Sequence, residues 1–400
     1  MTAASDLARR SASSSGGASK VPGSSRTPDG QIYWDPKILA TELDRFFYRN
    51  WLCVGRQEQV PAKGDFITRQ IGRESILLVR GSDGRVRGFY NLCRHRGTRV
   101  VLEAEGKGAH SFICPYHAWS YNLDGQLIGA LHMKGQTDFD RKEYGLHPIR
   151  VDTWGGFLWV NLEPTGPGLR ESLGPFFARF DRFPLANLRL GGHQEYEVEA
   201  NWKILVENFS ECYHCAPVHP SLNRLTPYLS GDNDASFMDP KGRSLFSGGY
   251  MQFAKDYQSM TRSGYTKRPL VPGMTAEDKK RVYYYVVFPN MFFSLHPDYL
   301  MVHRSWPTSP SHSRIENEFY FTPEAIAAKD FDPRDAIDLW NEINLQDWAV
   351  CALAQEGTGS RAWNGGRYSD QEELVRDFDA FVTQELARAN PAARRRRTTN

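Results

Sequence analysis

The sequence is short of several things, and each shortage narrows its reading. No run approaches the ~18 consecutive apolar residues of a membrane span, so none is expected. The first residues lack the apolar centre of a secretory signal. An excess of one charge is also missing. Lys and Arg number 49 against 47 Asp and Glu, a formal net charge of +2, and nothing here calls for nucleic acid. The one basic run, four Arg at positions 394–397, falls in 389–400 and reads as a solvated, disordered tail. Cysteine is sparse. Cys53, Cys93, Cys114, Cys212, Cys215 and Cys351 show no disulfide framework, so a cytoplasmic setting with thiols free or metal-bound is expected. There is no internal repeat. Residues 1–30, rich in Ser, Gly, Ala and Pro, are expected to be a disordered tail.

What is present divides into two parts. Ile38, Leu39, Leu43, Phe46, Phe47 and Trp51 recur at helical spacing over 34–54, after an Asp35-Pro36 start. Short alternating segments then fall at 65–71, 75–80, 86–92, 111–121 and 156–162, between turns such as Ser82-Asp83-Gly84. This is a small antiparallel β unit. The second half mixes a strand at 194–200, a helix at 201–212, consecutive strands between 282 and 321, and helices at 334–357 and 370–389. The fold class is α+β, with a β module carried on a larger domain. Residues 221–280 are irregular in pattern, and such long loops often cover active sites.

Two constellations carry chemistry. The first is Cys93-Arg-His95-Arg-Gly97 and Cys114-Pro-Tyr-His117, with eighteen residues between His95 and Cys114. A structural zinc site would also use such ligands. Zinc fingers, however, usually pair Cys with Cys and His with His. Here each loop offers one thiolate and one imidazole, as a Rieske [2Fe–2S] cluster needs when two Cys hold one iron and two His the other. His110 and His132 have no partners nearby in sequence and read as surface residues.

The second is His214 and His219, five apart at a helix end broken by Pro217 and Pro220. Alone the pair is weak. A carboxylate would complete a facial triad with open metal positions. On the 334–357 helix, Ala336, Trp340, Ile343, Asp347, Val350 and Ala354 share one face, and Asp347 is its only charge. A buried carboxylate needs compensation, which a metal, a buried ion pair or a helix-cap contact would each supply. Glu211, one turn before His214, is open between ligand, orienter of an imidazole and solvated acid. Glu207 also sits near the pair.

Taken together, the C-R-H-R-G and C-P-Y-H-A-W boxes and N-W-K-x3-E-N-x2-E-C-Y-H-x4-H-P resemble the α subunits of Rieske non-haem iron oxygenases, as do Gln346-Asp347-Trp348 and Tyr368-Ser369. The resemblance covers about residues 30 to 385. It implies a Rieske domain at 46–160 and a helix-grip catalytic domain at 161–388 that also takes a helix from 31–45. By matching, Cys93, Cys114, His95 and His117 hold a [2Fe–2S] cluster, and His214, His219 and Asp347 hold Fe(II). Glu211 matches the acid that bridges one subunit's cluster to its neighbour's iron, and Asn208 a residue close to that iron. The implied activity is monooxygenation with O2 and electrons from NAD(P)H. These arrive through a separate reductase, with or without a ferredoxin, and the implied assembly is a homotrimer. Glu at 211 and the L-x-Q-D-W-A-V-C-x3-Q segment look like the branch that oxidises quaternary ammonium compounds. Tyr283, Tyr285, Phe293 and Trp363 would then be candidates to face the cation, with core packing the first expectation for any one of them. Hydroxylation of an aromatic or other natural-product substrate is the alternative. A pure electron carrier is another, but it would not need the 240 residues after position 160.

Overall fold

The computed structural model describes residues 25–239 and 244–389. The Arg run at 394–397 lies outside them. Of the segment read as a tail, residues 25–30 are described: Arg26 bridges Arg367, and Thr27 N–H donates to the Gly366 carbonyl at 3.3 Å.

The N-terminal helical pattern is shorter than its spacing suggests. Pro36–Glu42 is α-helical, capped by the Asp35 side chain on Lys37 N–H, and the wider turn Leu43–Phe47 ends it. Leu52–Arg56 is a strand, every residue of it buried. It opens a seven-stranded antiparallel sheet ordered Leu52–Arg56, Phe157–Asn161, Pro148–Trp154, Val86–Tyr90, Glu74–Arg80, Phe66–Ile71 and Glu105–Gly106. A separate three-stranded sheet, Phe112–Ile113, Ser120–Tyr121 and Leu127–Gly129, carries one of the two Cys/His loops.

A second seven-stranded antiparallel sheet holds the larger domain, in the order Arg189–Val198, His312–Phe321, Tyr299–Ser309, Met291–Leu295, Arg281–Val287, Phe246–Gln252 and Asp232–Ala235. Its central strands, Arg281–Val287, Met291–Leu295 and Tyr299–Ser309, are apolar on both faces, and alternation sorts their side chains into two cores. Tyr285, Phe293, Leu300, Val302 and Tyr320 pack with Phe176, Phe177 and Phe180 of the Leu169–Phe180 helix. Val282, Tyr299, Met301, Phe319 and Phe321 pack with Ala336, Leu339, Trp340 and Ile343 of the Arg334–Thr358 helix. The sheet is thus clasped by helices on both sides. The long helix buries Cys351 and Gln355 in its last turns, whereas Ala354, expected on its inner face, is exposed.

The two sheets share a core. Asn290 receives Cys53 N–H at 3.1 Å and donates to the Cys53 carbonyl at 2.9 Å, all buried. The Arg56 guanidinium, also buried, donates to the Leu188 carbonyl at 2.7 Å and lies over the rings of Phe157 and Tyr320. Burial at this density leaves the β module a fixed position on the larger domain.

Candidate metal centres and active-site cavity

The two Cys/His loops meet. In the first, Gly97 N–H closes a turn onto the Cys93 carbonyl at 3.0 Å, and Gly97 takes a φ of +73°, which a glycine adopts without strain. In the second, Ala118 N–H closes onto the Cys114 carbonyl at 3.1 Å. Cys93 and Cys114 are buried side by side, while His95 and His117 are exposed with ring centroids 4.7 Å apart. Trp119 stacks on His95 at 4.8 Å, and the Tyr121 hydroxyl lies 3.3 Å from Cys93 Sγ. Burial raises the Cys114 thiol, with Cys93 adding to the rise. A thiol pair inside and an imidazole pair outside, one of each per loop, is the donor set of a [2Fe–2S] cluster with its His-bound iron at the surface. The residues fit the group.

The second site forms where three elements end. Asn201 caps the Trp202–Phe209 helix by accepting from Lys203 N–H at 3.0 Å. That helix is anchored by Trp202 Nε1–H on Glu42 Oε2 at 2.9 Å, and by the Lys203–Glu42 ion pair at 2.7 Å. Its end brings Asn208 and Glu211 beside His214, and the one-turn Cys215–Val218 helix turns His219 back toward it. Asp347 arrives from the long helix. Ligand-capable atoms of His214, His219 and Asp347 all lie within 4.8 Å of one another. Asp347 Oδ1 is 3.2 Å from His214 Nε2 and 2.8 Å from His219 Nε2.

Each member is held from behind. Glu211 Oε1 is 2.5 Å from His214 Nδ1, and Glu211 Oε2 accepts from the His214 backbone N–H at 3.1 Å. Gln346 Oε1 accepts at 2.8 Å from His219 Nδ1. Asn208 Nδ2 donates to Asp347 Oδ1 at 3.1 Å. A neutral ring protonated at Nδ1 leaves the Nε2 lone pair free to ligate a metal, and here both Nε2 atoms face one point. Burial opposes charge on His214, but Asp347 and Glu211 outweigh it and push its pKa up to about 10. Burial likewise opposes charge on Asp347, which the two His outweigh to hold its carboxyl below the ordinary range. A divalent cation at this point would neutralise the same carboxylate. The donor set of two imidazoles and one carboxylate is that of a mononuclear iron centre with open positions.

A cavity of about 280 Å³ opens beside these residues, between the sheet and the long helix. Phe209, Tyr228, Tyr284, Phe292, Trp340 and Trp348 line it, with His303 and Asn344. The irregular 221–280 stretch contributes Tyr228, Leu229 and Asp232, and the segment after 356 contributes Gln371 and Leu374. None of the four aromatic candidates for facing a cation lines the cavity. Tyr283 and Tyr285 point to the opposite face of their strand, where Tyr283 donates to Asp278 at 2.5 Å and Tyr285 to Asp234 at 2.6 Å. Phe293 is buried in the core under the Leu169–Phe180 helix. Trp363 sits in a separate surface hollow with Trp34. Tyr284, between two of the chosen residues, is the one that lines the cavity. Gln346 also went unassigned in the sequence, although it is adjacent to Asp347 and therefore one helical step from the site.

Fold and sites together define a two-centre iron oxygenase: a cluster domain docked on a clasped sheet that holds a facial triad. The comparisons agree. Residues 185–388 match the model for the ring hydroxylating alpha subunit (catalytic domain), and residues 50–140 match the Rieske [2Fe-2S] domain. The chain is 31% identical over 370 residues to the glycine betaine monooxygenase oxygenase subunit of Pseudomonas aeruginosa, spanning 86% of this chain and 85% of that protein. It is 28% identical over 339 residues to the carnitine monooxygenase oxygenase subunit of Acinetobacter baumannii, covering 84% and 85%. Choline monooxygenase of Arabidopsis thaliana is 25% identical over 373 residues, covering 90% and 83%. A crystal structure of the quaternary ammonium Rieske monooxygenase CntA has the same fold, with a TM-score of 0.76 at 24% identity over 90% of this chain and 95% of that one. The chain belongs to the Rieske non-haem iron oxygenases, as the catalytic α subunit. It is an oxidoreductase with a [2Fe–2S] cluster and a mononuclear iron, and as an oxygenase subunit it receives its electrons through a reductase. Among the described residues no helix is long and apolar enough to cross a membrane.

Proposed function

We propose that this chain is the oxygenase of a monooxygenase system acting on a small quaternary ammonium compound. The observation that carries the reading is the facial arrangement of His214, His219 and Asp347 within 4.8 Å of one another beside an aromatic-walled cavity. Relatives named for glycine betaine, carnitine and choline give it its direction. In this reading Cys93 and Cys114 hold one cluster iron and His95 and His117 the other, while His214, His219 and Asp347 hold the catalytic iron. When bound, these centres supply electron delivery and O2 activation.

The chain's own residues do the rest. Gln346 and Glu211 fix the tautomers of His219 and His214, and Asn208 holds the Asp347 carboxylate by donating to its Oδ1. The ring faces of Tyr284 and Trp340 receive the ammonium group and set one of its methyl groups toward the metal ligands. Two electrons and two protons per O2 leave one oxygen as water and one in the substrate. A hydroxylated N-methyl group is a hemiaminal, which loses formaldehyde and leaves the tertiary amine.

The exposed His95 and His117, flanked by exposed Leu92, Ile113 and Tyr116, support a docking face. We place this face against Glu211 of a neighbouring protomer in a closed homotrimer, with Glu211 carrying the electron onward to His214. All six cysteines are free, which supports a reducing, cytoplasmic setting.

The test is turnover by the iron-loaded enzyme with a reductase, reading NADH, O2 and formaldehyde against quaternary ammonium compounds, aromatic acids and amines. Coupled consumption is expected with an ammonium compound. Coupling to an aromatic acid alone would replace this reading with ring hydroxylation. In the same assay Glu211→Gln should slow turnover with iron and cluster retained, and unchanged turnover would remove Glu211 from the electron path.

A further inference from the structure

The cavity wall is sorted by charge. Its aromatic part is a connected cluster: the Tyr284 ring lies 6.2 Å from Phe209 and 6.2 Å from Trp340, and Phe209 stacks on Phe292 at 4.7 Å. Its acids are Asp347 and Glu211 at the metal site and exposed Asp232 on the edge strand. Among the described residues that line it, none is Lys or Arg. The nearby Arg281 guanidinium is not a lining group, and its charge is already partnered. It lies on the ring of Tyr250, 4.0 Å from the centroid, and pairs with Glu277 at 3.7 Å. The remaining polar groups of the wall are neutral. They include the amide of Asn344, the hydroxyl of Ser247, and the hydroxyl of Tyr284, which is buried without a hydrogen-bond partner.

Iron(II) at the site brings two positive charges, which Asp347 and Glu211 cancel, and Asp232 leaves the surroundings negative. Ring faces and acids favour a cation here. A carboxylate would lose its water, meet further carboxylates and find no Lys or Arg among the described lining residues, which is the costly form of burial.

We propose that the substrate is a monocation: a compact trialkylammonium whose remaining part is uncharged, such as an alcohol, and not a betaine. The proposal rests on the ammonium reading above and divides the substrates of the named relatives, since choline is a cation while glycine betaine and carnitine are zwitterions.

The decisive comparison uses the complete iron-loaded enzyme with choline, glycine betaine and the primary amide of glycine betaine, which keeps the shape and loses the negative charge. Calorimetric binding without O2 is measured beside kcat/KM from coupled NADH and O2 consumption. Choline and the amide are expected to exceed glycine betaine by about tenfold or more in both readouts. Asp232→Asn should raise KM for choline and the amide, while leaving that for glycine betaine unchanged or lower. Glycine betaine binding as tightly as its amide, or equal effects of Asp232→Asn on all three, would overturn the charge argument. No binding or turnover of any ammonium compound, with an aromatic acid turned over, would overturn the ammonium reading itself and this inference with it.

Discussion

The two metal sites of this chain are built in opposite ways. The cluster site draws its four candidate ligands from two neighbouring loops and leaves both imidazoles exposed, with Trp119 stacked on His95 and Tyr116 against His117. The triad takes its carboxylate from a helix 128 residues beyond His219 and backs every ligand with a second polar side chain. Exposure suits a centre that exchanges electrons with other proteins. Enclosure suits one that must orient a substrate and exclude water.

That contrast can be broken most sharply at Asp347. Asp347→Ala should abolish turnover while the visible and EPR spectra of the cluster persist, whereas Cys114→Ala should lose both; activity in the Asp347 variant would show a different third ligand. The next effect concerns the two faces of one strand. Tyr285→Ala empties a fully buried site and should cost about 3–5 kcal/mol in denaturant unfolding. Tyr284→Ala should act mainly on KM, and equal stability losses would contradict the division of the sheet into core and cavity faces.

His303 gives a pH signature for the enclosed site. Burial pushes its imidazole down to about 4. An imidazole in the unfolded chain titrates near 6.5, so below that pH the unfolded state binds the extra proton. The neutral His303 therefore contributes its stability in full above about 6.5, and roughly 3 kcal/mol is lost as the pH falls to 4. His303→Leu should flatten that acid limb, and an unaltered limb would assign it elsewhere. The smallest effect is at Gln346. Gln346→Leu removes the acceptor for His219 Nδ1–H and should weaken iron binding by about 10–100-fold, with cluster content unaffected. Equal loss of both metals would point to misfolding instead.

Legibility in the sequence follows the same division. Cys93, His95, Cys114 and His117 were readable as one donor set because the four residues and their pairing lie within one short stretch. His214 and His219 were readable as a pair, but Asp347 could be singled out only as an isolated charge, and family resemblance had to assign it. The strand at Leu52–Arg56 was hidden because the helical spacing of the preceding segment runs on through Trp51. The cavity wall was hidden for a different reason. Alternation identifies a buried face when the other face is polar, and here both are apolar, so nothing local separated Tyr284 from Tyr283 and Tyr285.

That two-sided sheet has a consequence for how such enzymes diversify. Tyr284, Val286, Phe292 and His303 form one register of alternate positions, and Tyr285, Val287, Phe293 and Val302 form the other. The first register both walls the cavity and packs in the core shared with the β module, through Val286 and Phe292, while the second packs only under the Leu169–Phe180 helix. A change of substrate made on the first face therefore draws on stability as well, and Tyr284, the one of the four that is not fully buried, is the position where it draws least.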